Sequence, residues 1–491
     1  MQPFGLNDSA RLDTDEARRS RYQVYLDFYN GSQWLERRKP GERRLTVNYA
    51  RTFIHKGASY LLGRPVKFEL KPNGEGRAAQ EESRHTEQAL EQLWQDNNLA
   101  QLDYDTAVDA AILGDAAYKV TLQPSAISRQ PSAISYQPSA LNLQSTISVR
   151  AVDVMGLTAK WRGDDMRQLN MVCEDYTLTG RELAELPGLG GLPAGGDFNT
   201  RYAVRERWTN TTFGLEVNGQ VVREELNPYG FIPYVIFPNL SRPRQFWGLS
   251  DLEDIMSLNS EFNVRVSILS QLLQMSGNPV LVLENVESAE GLRVGPGAVW
   301  TLPEGAKAQL LEMIKEGGVG LHIQYIELLY KMMHDLSELP GAGFGRDNAA
   351  NTSSGVALEQ LLYPVVQRVQ RKRRIWEQAL DLRNRMMLAL AGLPVHRSSF
   401  IWPDILPKDR AGLVTQEIGL VASNIHSLDT ARRNLGDEQP ELENEQIQAE
   451  WGELGMGENR GQKPAPTSSQ GIRPAVHLSG ALVQGLSNSG G

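Results

Sequence analysis

At 491 residues, 41% of them hydrophobic and 22% charged, the chain has length for roughly three domains and a globular rather than disordered or fibrous composition. Its one cysteine, Cys173, excludes an intrachain disulfide and a four-cysteine zinc site, and points to a reducing compartment. Fifty Lys+Arg against 59 Asp+Glu give a formal charge of −9, which argues against a tight grip on nucleic acid, whose affinity comes from counterions displaced at basic patches.

Acidity suits solubility, or a surface that repels a polyanion. No apolar run approaches the roughly 18 residues of a membrane span, and Met1 to Arg21 lacks the apolar core of a signal peptide. Thr14 to Tyr29 reads as a charged amphipathic helix, followed by the turn signal Asn30-Gly31. A second helix is predicted from Asn48 to Leu62, with Phe53, Ile54, Ala58, Leu61 and Leu62 inward and Gly63 at C′. Pro65 to Leu70 alternates like a strand. Glu81 to Asp96, with Leu90, Leu93 and Trp94 inward, and Leu102 to Leu113, ended by Gly114-Asp115, are further helices. Ala117–Leu122 and Ile147–Val152 read as a hairpin. A direct repeat lies between them, starting at Gln123, Gln130 and Gln137 and ending at Leu143. A seven-residue period with a proline each time suits neither helix nor propeller, and reads as an insertion at a hairpin tip, where extra length costs little.

Asn170–Tyr176, Tyr202–Asn210, Gly214–Val217 and Gln220–Glu224 suggest an antiparallel sheet, and Ile232–Phe237 an apolar strand. The glycine-rich stretch Gly188–Gly196 lacks the Lys-Ser/Thr ending of a phosphate loop. A long helix is predicted from Ser250 to about Met275, roughly 40 Å at 1.5 Å per residue. Next comes a small β-rich insert, Asn278 to about Met313, with strands at Pro279–Leu283 and Ala298–Leu302 and a turn at Gly295-Pro296-Gly297. The following helix places Ile323, Ile326, Leu329, Tyr330, Met333 and Leu336 on one face and ends at Leu339-Pro340. The insert is therefore carried at the far end of two helices that run antiparallel. Gly341 to Thr352 is a small-residue loop with little but Phe344 to bury. A longer helix then starts at Ser353 or Ser354 and continues to Gly392, with Pro364 inside it as an expected kink. Phe400–Trp402 is a short strand. Lys408–Val421, Leu428–Leu435 and the acidic Glu441–Trp451 are shorter helices, and from Gly455 onward the composition is that of a disordered tail.

The search for chemistry returns little. There is no Walker loop, no Gly-x-Ser-x-Gly elbow and no His-Glu-x-x-His. Gly341-Ala342-Gly343-Phe344-Gly345 follows a helix rather than a strand, so it is not a dinucleotide loop. The seven histidines show no metal-ligand spacing, and no cofactor is called for. Asp251, Glu253 and Asp254 read as first-turn acids favouring a helix dipole. Arg368, Arg371, Lys372, Arg373, Arg374, Arg383 and Arg385 crowd one helix. Salt bridges to acidic neighbours or a solvated face are the plainer account; contact with phosphates, or with an acidic patch on a neighbouring subunit, is the functional one.

Taken in order, these pieces resemble the portal proteins of tailed bacteriophages, the family typified by siphophages of Gram-positive bacteria. The resemblance is carried by Phe28-Tyr29-Asn30-Gly31-Ser32-Gln33, Leu45-Thr46-Val47-Asn48-Tyr49-Ala50-Arg51 and Tyr60-Leu61-Leu62-Gly63-Arg64-Pro65-Val66. It resumes at Phe246-Trp247-Gly248-Leu249-Ser250-Asp251-Leu252-Glu253, runs through the Leu339-Pro340 loop, and ends with Trp402-Pro403-Asp404-Ile405-Leu406-Pro407 and the helices after it. It covers about 400 residues, excluding the repeat and the tail, and rests on the order of the pieces rather than on one diagnostic string.

The resemblance implies an α+β portal fold with no catalytic residues, in a homo-oligomeric ring, usually of twelve subunits, at one capsid vertex, with double-stranded DNA passing without sequence specificity. It implies a wing from 1–248, stem helices at 249–275 and 316–339, a clip at 276–315, a tunnel loop at 340–352, a kinked helix and strand returning to the wing at 353–407, and a crown at 408–455, with 456–491 as the tail. Gly341, Gly343, Phe344, Gly345, Arg346 and Asn348 would face the DNA, Phe344 and Arg346 nearest; alternatively Phe344 packs between adjacent loops. Glu284, Glu287, Glu290, Arg293 and Trp300 are the clip's candidates to meet partners. The partners implied are the terminase large subunit, a head-completion or adaptor protein, and the major capsid and scaffolding proteins; a membrane is not among them. The chain would be assembled in the host cytoplasm and reside in the virion. Another head–tail adaptor ring, or an enzyme with a site built from scattered residues, stays open as a different class.

Overall fold

In a computed structural model of the chain, residues 15–34, 37–38, 40, 42–124, 145–162, 165–186, 196–277, 280–285, 304–311, 318–344, 355–405, 410–436, 443–444 and 446–447 are described. Most of the repeat and of the glycine-rich stretch, the expected strand Ala298–Leu302, most of Glu441–Trp451 and the tail lie outside them. Two units divide the chain, one through Pro407 and one from Lys408.

In the first unit, helix α1 (Asp15–Tyr29) turns Tyr22, Tyr25 and Phe28 inward, and α2 (Tyr49–Leu62) buries the five residues its periodicity indicates. Gly63 caps α2 in the right-handed region, donating its N–H to the Ser59 carbonyl, so no left-handed residue closes this helix. Strand β1 (Lys67–Lys71), α3 (Arg77–Asp96) and α4 (Leu99–Leu113) follow as the apolar pattern predicts. Strands β2 (Asp115–Pro124) and β3 (Ser145–Ala151) form the expected antiparallel hairpin.

Next come β4 (Leu157–Arg162), β5 (Asp165–Thr179), the short α5 (Gly180–Ala184), β6 (Arg201–Trp208), β7 (Thr212–Val217), β8 (Gln220–Leu226) and β9 (Tyr234–Pro238). β4 to β8 make a five-stranded antiparallel meander in sequence order, while β9 joins the hairpin in a second sheet, ordered β3-β2-β9. Between the two sheets the Lys119 ammonium on β2 meets Glu174 on β5 at 2.9 Å and Glu206 on β6 at 2.5 Å. Tyr234 donates to the Glu174 oxygen that Lys119 bonds and Arg150 to both Glu174 oxygens, while Trp208 shares the Glu206 oxygen of Lys119 and Tyr176 takes the other. With every group partnered, the cluster fixes one sheet against the other instead of presenting an open site.

Helix α6 (Met256–Gly277) starts later than its sequence suggests. The donors of Ser250 and Asp251 are committed to carbonyls at the end of α4: the Ser250 hydroxyl to Ile112 at 2.5 Å and the Asp251 N–H to Ala111 at 2.9 Å. Residues 251–255 therefore form tight turns. Such close approach needs small residues: Gly114 has φ +96°, and a Cβ there would sit 2.8 Å from the Ser250 nitrogen.

Strands β10 (Val280–Glu284) and β11 (Lys307–Leu311) pair antiparallel, the latter a strand not read from sequence. Helix α7 (Gly318–Ser337) returns beside α6. Arg265 of α6 lies over Tyr325, while Phe262 and Tyr330 both pack on Tyr49, so the two helices run in opposite directions. After a 3-10 turn, Gly341–Phe344, the 36-residue α8 (Gly355–Leu390) crosses the three-stranded sheet, where Trp376 packs edge-on against Phe237 and Tyr118. Pro364 lies within α8, and β12 (Arg397–Ile401) pairs with β1. In the second unit, α9 (Arg410–Ala422) and α10 (Leu428–Leu435) form a helical hairpin, with Glu417 accepting from His426 and Asn434.

The extended segment before α2 is stitched to α6 by amide side chains. Asn259, Asn263 and Ser267, four residues apart on one stripe, accept from the N–H groups of Ala50, Val47 and Leu45 at 2.9–3.0 Å. Gln33 completes the arrangement: its carbonyl oxygen accepts from Asn259 and Asn263, and its amide donates to Phe28 and Asn48. Gln33→Ala should lower stability by about 2–4 kcal/mol, because it leaves several enclosed polar groups without partners. Urea unfolding of the purified protein measures this, and Gln33→Glu should also destabilise, since a carboxylate cannot donate to both oxygens.

Candidate functional site

Four residues that the sequence singled out, Asp251, Arg368, Arg371 and Lys372, meet Glu338, which it did not, at the roots of both long helices of the first unit. Asp251 precedes α6, Glu338 follows α7, and Arg368, Arg371 and Lys372 project from α8. Asp251 bonds Arg368 at 2.8 Å and Lys372 at 2.5 Å, and accepts from the Asn239 amide at 2.7 Å. Glu338 receives Arg371 at 2.6 Å, with Arg368 at 3.8 Å. One ion cluster on α8 therefore anchors the roots of both rods. Glu338 has φ +53°, a conformation disfavoured for a side chain with a Cβ, and its two arginine partners hold it there.

This geometry corrects the reading of Asp251 and favours salt bridges over phosphate contact for the basic run. Asp251 is not a first-turn acid; it lies five residues before α6 with its side chain only 9% exposed, and its partners are on another helix. Arg368 and Lys372 are enclosed and share the Asp251 carboxylate, so neither is presented to a phosphate in solvent. Arg383 is likewise sealed against Asp103 between the rings of Trp94 and Tyr118. Arg373 donates to the Pro403 carbonyl at 2.8 Å and stacks on Trp402, and Arg371 is spent on Glu338. Of the five proposed contacts, Arg374 is the one left exposed and not committed to a partner among the described residues.

Burial alone would raise the Asp251 carboxyl; Arg368 and Lys372 outweigh it and hold the group at about 2. Burial pushes the Lys372 ammonium down, with Asp251 opposing. Nearby, Asp115 accepts from Tyr22 at 2.5 Å and from the Gly248 N–H at 2.8 Å, and burial pushes its carboxyl up to about 6 despite those bonds.

The loop between the rods and α8 is described only in part. Gly341 to Phe344 form the 3-10 turn, and the Phe344 ring is half-buried against Phe53 at 5.2 Å and His334 at 4.9 Å. Gly345, Arg346 and Asn348 lie outside the described residues, as do Glu287, Glu290, Arg293 and Trp300. Glu284 is exposed on β10, where Gln309 donates to it. The face predicted for α7 is divided: Leu329 and Met333 are buried, Ile326 and Tyr330 partly so, while Ile323 and Leu336 are exposed.

A groove of about 760 Å³ is lined by Lys56, Tyr60, Arg64, Tyr104, Arg373 and Asp404 among others, apart from the displaced carboxyls of Asp115 and Asp251. Among the described residues no group of three or more His, Cys, Asp or Glu could hold a metal ion, and no helix is long and apolar enough to cross a membrane.

The described residues make an α+β body from which a helix pair carries an antiparallel strand pair, with its roots locked by charge. The chain matches the phage portal proteins of the SPP1 Gp6-like family over residues 9–181 and 199–453, and it belongs to that family. No curated protein matches it. The family is structural and non-enzymatic, and membership implies an oligomeric ring associated with the capsid.

Removing one member of a buried ion pair strands the other, so Asp251→Ala should cost about 3–5 kcal/mol in chemical unfolding, and Asp251→Ala with Lys372→Met should recover part of it. The pH dependence has two opposite limbs. Asp115, raised to about 6 when folded against 3.8, penalises the native state above that pH, so stability rises as pH falls from about 7 to 4. Asp251, lowered to about 2 against 3.8, contributes stability above the ordinary value that is lost as pH falls further. Melting temperatures across pH should show a maximum near 4–5 from these two groups, and Asp115→Asn should flatten the limb above it.

Proposed function

We propose that the chain forms the ring, of about twelve copies, through which double-stranded DNA enters the capsid during packaging and leaves at ejection. The observation that carries this reading is the second apolar face of α7. Besides the side packed on the body, the helix leaves Leu321, Tyr325, Leu328, Met332 and Leu336 exposed, at spacings of four, three, four and four, with Arg265 of α6 over the Tyr325 ring. A contiguous apolar stripe on a rod marks a protein contact, and a ring supplies that contact from the next copy.

In this reading residues 1–248 and 353–407 form the wing, 249–275 and 316–339 the stem, and 276–315 the clip. The loop 340–352 lines the tunnel, and 408–455 form the crown. The clip receives the terminase large subunit and later a head-completion or adaptor protein, through Glu284, Glu287, Glu290, Arg293 and Trp300. The outer parts of the ring meet the major capsid and scaffolding proteins, and assembly takes place in the host cytoplasm. Gly341, Gly343, Gly345, Arg346 and Asn348 lie nearest the DNA. Phe344 is proposed to reach it only when its ring leaves Phe53. A surplus of nine negative charges per copy supports a bore that repels phosphates and lets the duplex slide.

Leu328→Glu with Met332→Glu tests the reading, because both side chains are exposed in the single chain and their replacement leaves its core intact. Wild-type protein should give rings with a central hole in negative-stain micrographs. The double variant should elute as a monomer with an unchanged circular dichroism spectrum; rings from the variant would place the subunit contact elsewhere.

A further inference from the structure

A groove on the first unit gathers cations in a chain that is acidic overall. Its volume of about 760 Å³ falls within the roughly 300–1,000 Å³ of small-molecule sites, and it lies where the end of α2, the start of α4, the middle of α8 and the segment 403–405 meet. Three of its lining side chains, Lys56, Arg64 and Arg373, are cationic, and one, Asp404, is acidic. Arg64 is exposed and committed to no partner among the described residues. Among those residues the Lys56 ammonium faces rings rather than carboxylates, Tyr60 at 5.4 Å and Phe344 at 5.9 Å. Arg373 spends one N–H on the Pro403 carbonyl, but its Nε is enclosed and finds no acceptor among the described residues. Tyr60 and Tyr104 add phenols to the lining, and burial pushes the Tyr60 hydroxyl up, so it stays a proton donor. The start of α4 adds to these side chains. Asn98, at its N-cap, makes no side-chain hydrogen bond to the helix, and Ala100 and Gln101 of its first turn line the groove beside the cations.

We propose that this groove binds a small anion of nucleotide size that carries two or more adjacent phosphate groups. Arg64 and Lys56 supply charge that no carboxylate of the described residues claims, and charge-assisted bonds to phosphate oxygens are the strongest use of such donors. A single carboxylate would leave most of the donors idle. A duplex presents its phosphates in a row and needs cations spread along an open face, whereas these converge on one concavity. Because the groove joins α2, α4, α8 and the segment 403–405, a bound anion ties together elements far apart in sequence. It therefore stabilises the folded chain by mass action. The site uses none of the α7 stripe and stands apart from the ring reading.

Isothermal titration of the full-length protein with sodium tripolyphosphate and with ATP, in metal-free buffer, tests the assignment. Each should bind once per chain, compete with the other, and raise the melting temperature as it is added. Lys56→Gln with Arg64→Gln should weaken both by about tenfold or more. Its circular dichroism spectrum should be unchanged, since neither side chain belongs to the core. Arg374→Gln removes an exposed cation of α8 outside the groove and should alter neither affinity. Titrations that never saturate, affinity untouched by the double variant, or an equal loss in Arg374→Gln would overturn the proposal. A glutamate-rich peptide, or a short DNA duplex at equal phosphate concentration, that displaces tripolyphosphate more readily than ATP does would give the groove to a macromolecule and refute the small-anion assignment.

Discussion

The charge cluster around Asp251 is the constraint on which the first unit's architecture rests. Two rods, α6 and α7, project from the body, and a projecting lever transmits any force on its far end to its root. Apolar packing resists sliding poorly, because it is non-directional and roughly proportional to area. An enclosed carboxylate bonded to Arg368 and Lys372 is directional, and a displacement that separates the charges exposes a full desolvation penalty. The same helix, α8, takes hold of α7 through Glu338. Both levers thus share one fulcrum, and that fulcrum is itself pinned to the sheet by Trp376 and to α4 by Arg383.

The amide stripe on α6 solves a related problem by different means. The segment 42–48 has no strand beside it, so its backbone N–H groups need acceptors from elsewhere. Asn259, Asn263 and Ser267 provide them at helical spacing, and Gln33 satisfies the donors that the asparagines leave over. An apolar stripe would bury as well but would permit the segment to slip along the helix. A ladder of side-chain bonds fixes one register, since any shift leaves several buried polar groups unpaired at about 1–3 kcal/mol each.

How much of this was legible in the sequence depends on the range of the interaction concerned. Helices α1 to α4, the β2–β3 hairpin and the rods follow from local periodicity, because the residues that decide them lie within a turn or two. β4 was missed although Leu157 and Ala159 alternate inward, for its polar outer residues Lys160 and Arg162 dilute the pattern. β11 was missed because Lys307-Ala308-Gln309 has no apolar alternation; its partner β10 decides its state. Of the site, the basic run on α8 was visible, but its meaning was not. Asp251 lies 117 residues before Arg368 and Asp103 lies 280 before Arg383, so nothing local tells a buried pair from a solvated cation. Gln33 stood inside a stretch that carried the family resemblance, without any hint that it reaches α6.

That pairing also decides where the protein's net charge resides. Lys119, Arg368, Lys372 and Arg383 each face an enclosed carboxylate, so the interior of the first unit is close to neutral and contributes little to the total of −9. Copies of a chain with that net charge repel one another when brought side by side, though only over about 8 Å at physiological ionic strength. A ring of such copies needs a contact whose strength does not depend on charge. The α7 stripe, with five large apolar side chains and no acidic residue among them, meets that requirement, because its attraction comes from water released at close contact and grows with the area covered. In the proposed ring, like charge keeps the copies apart until the α7 contact is made, and the apolar seam then outweighs a repulsion that salt has already shortened.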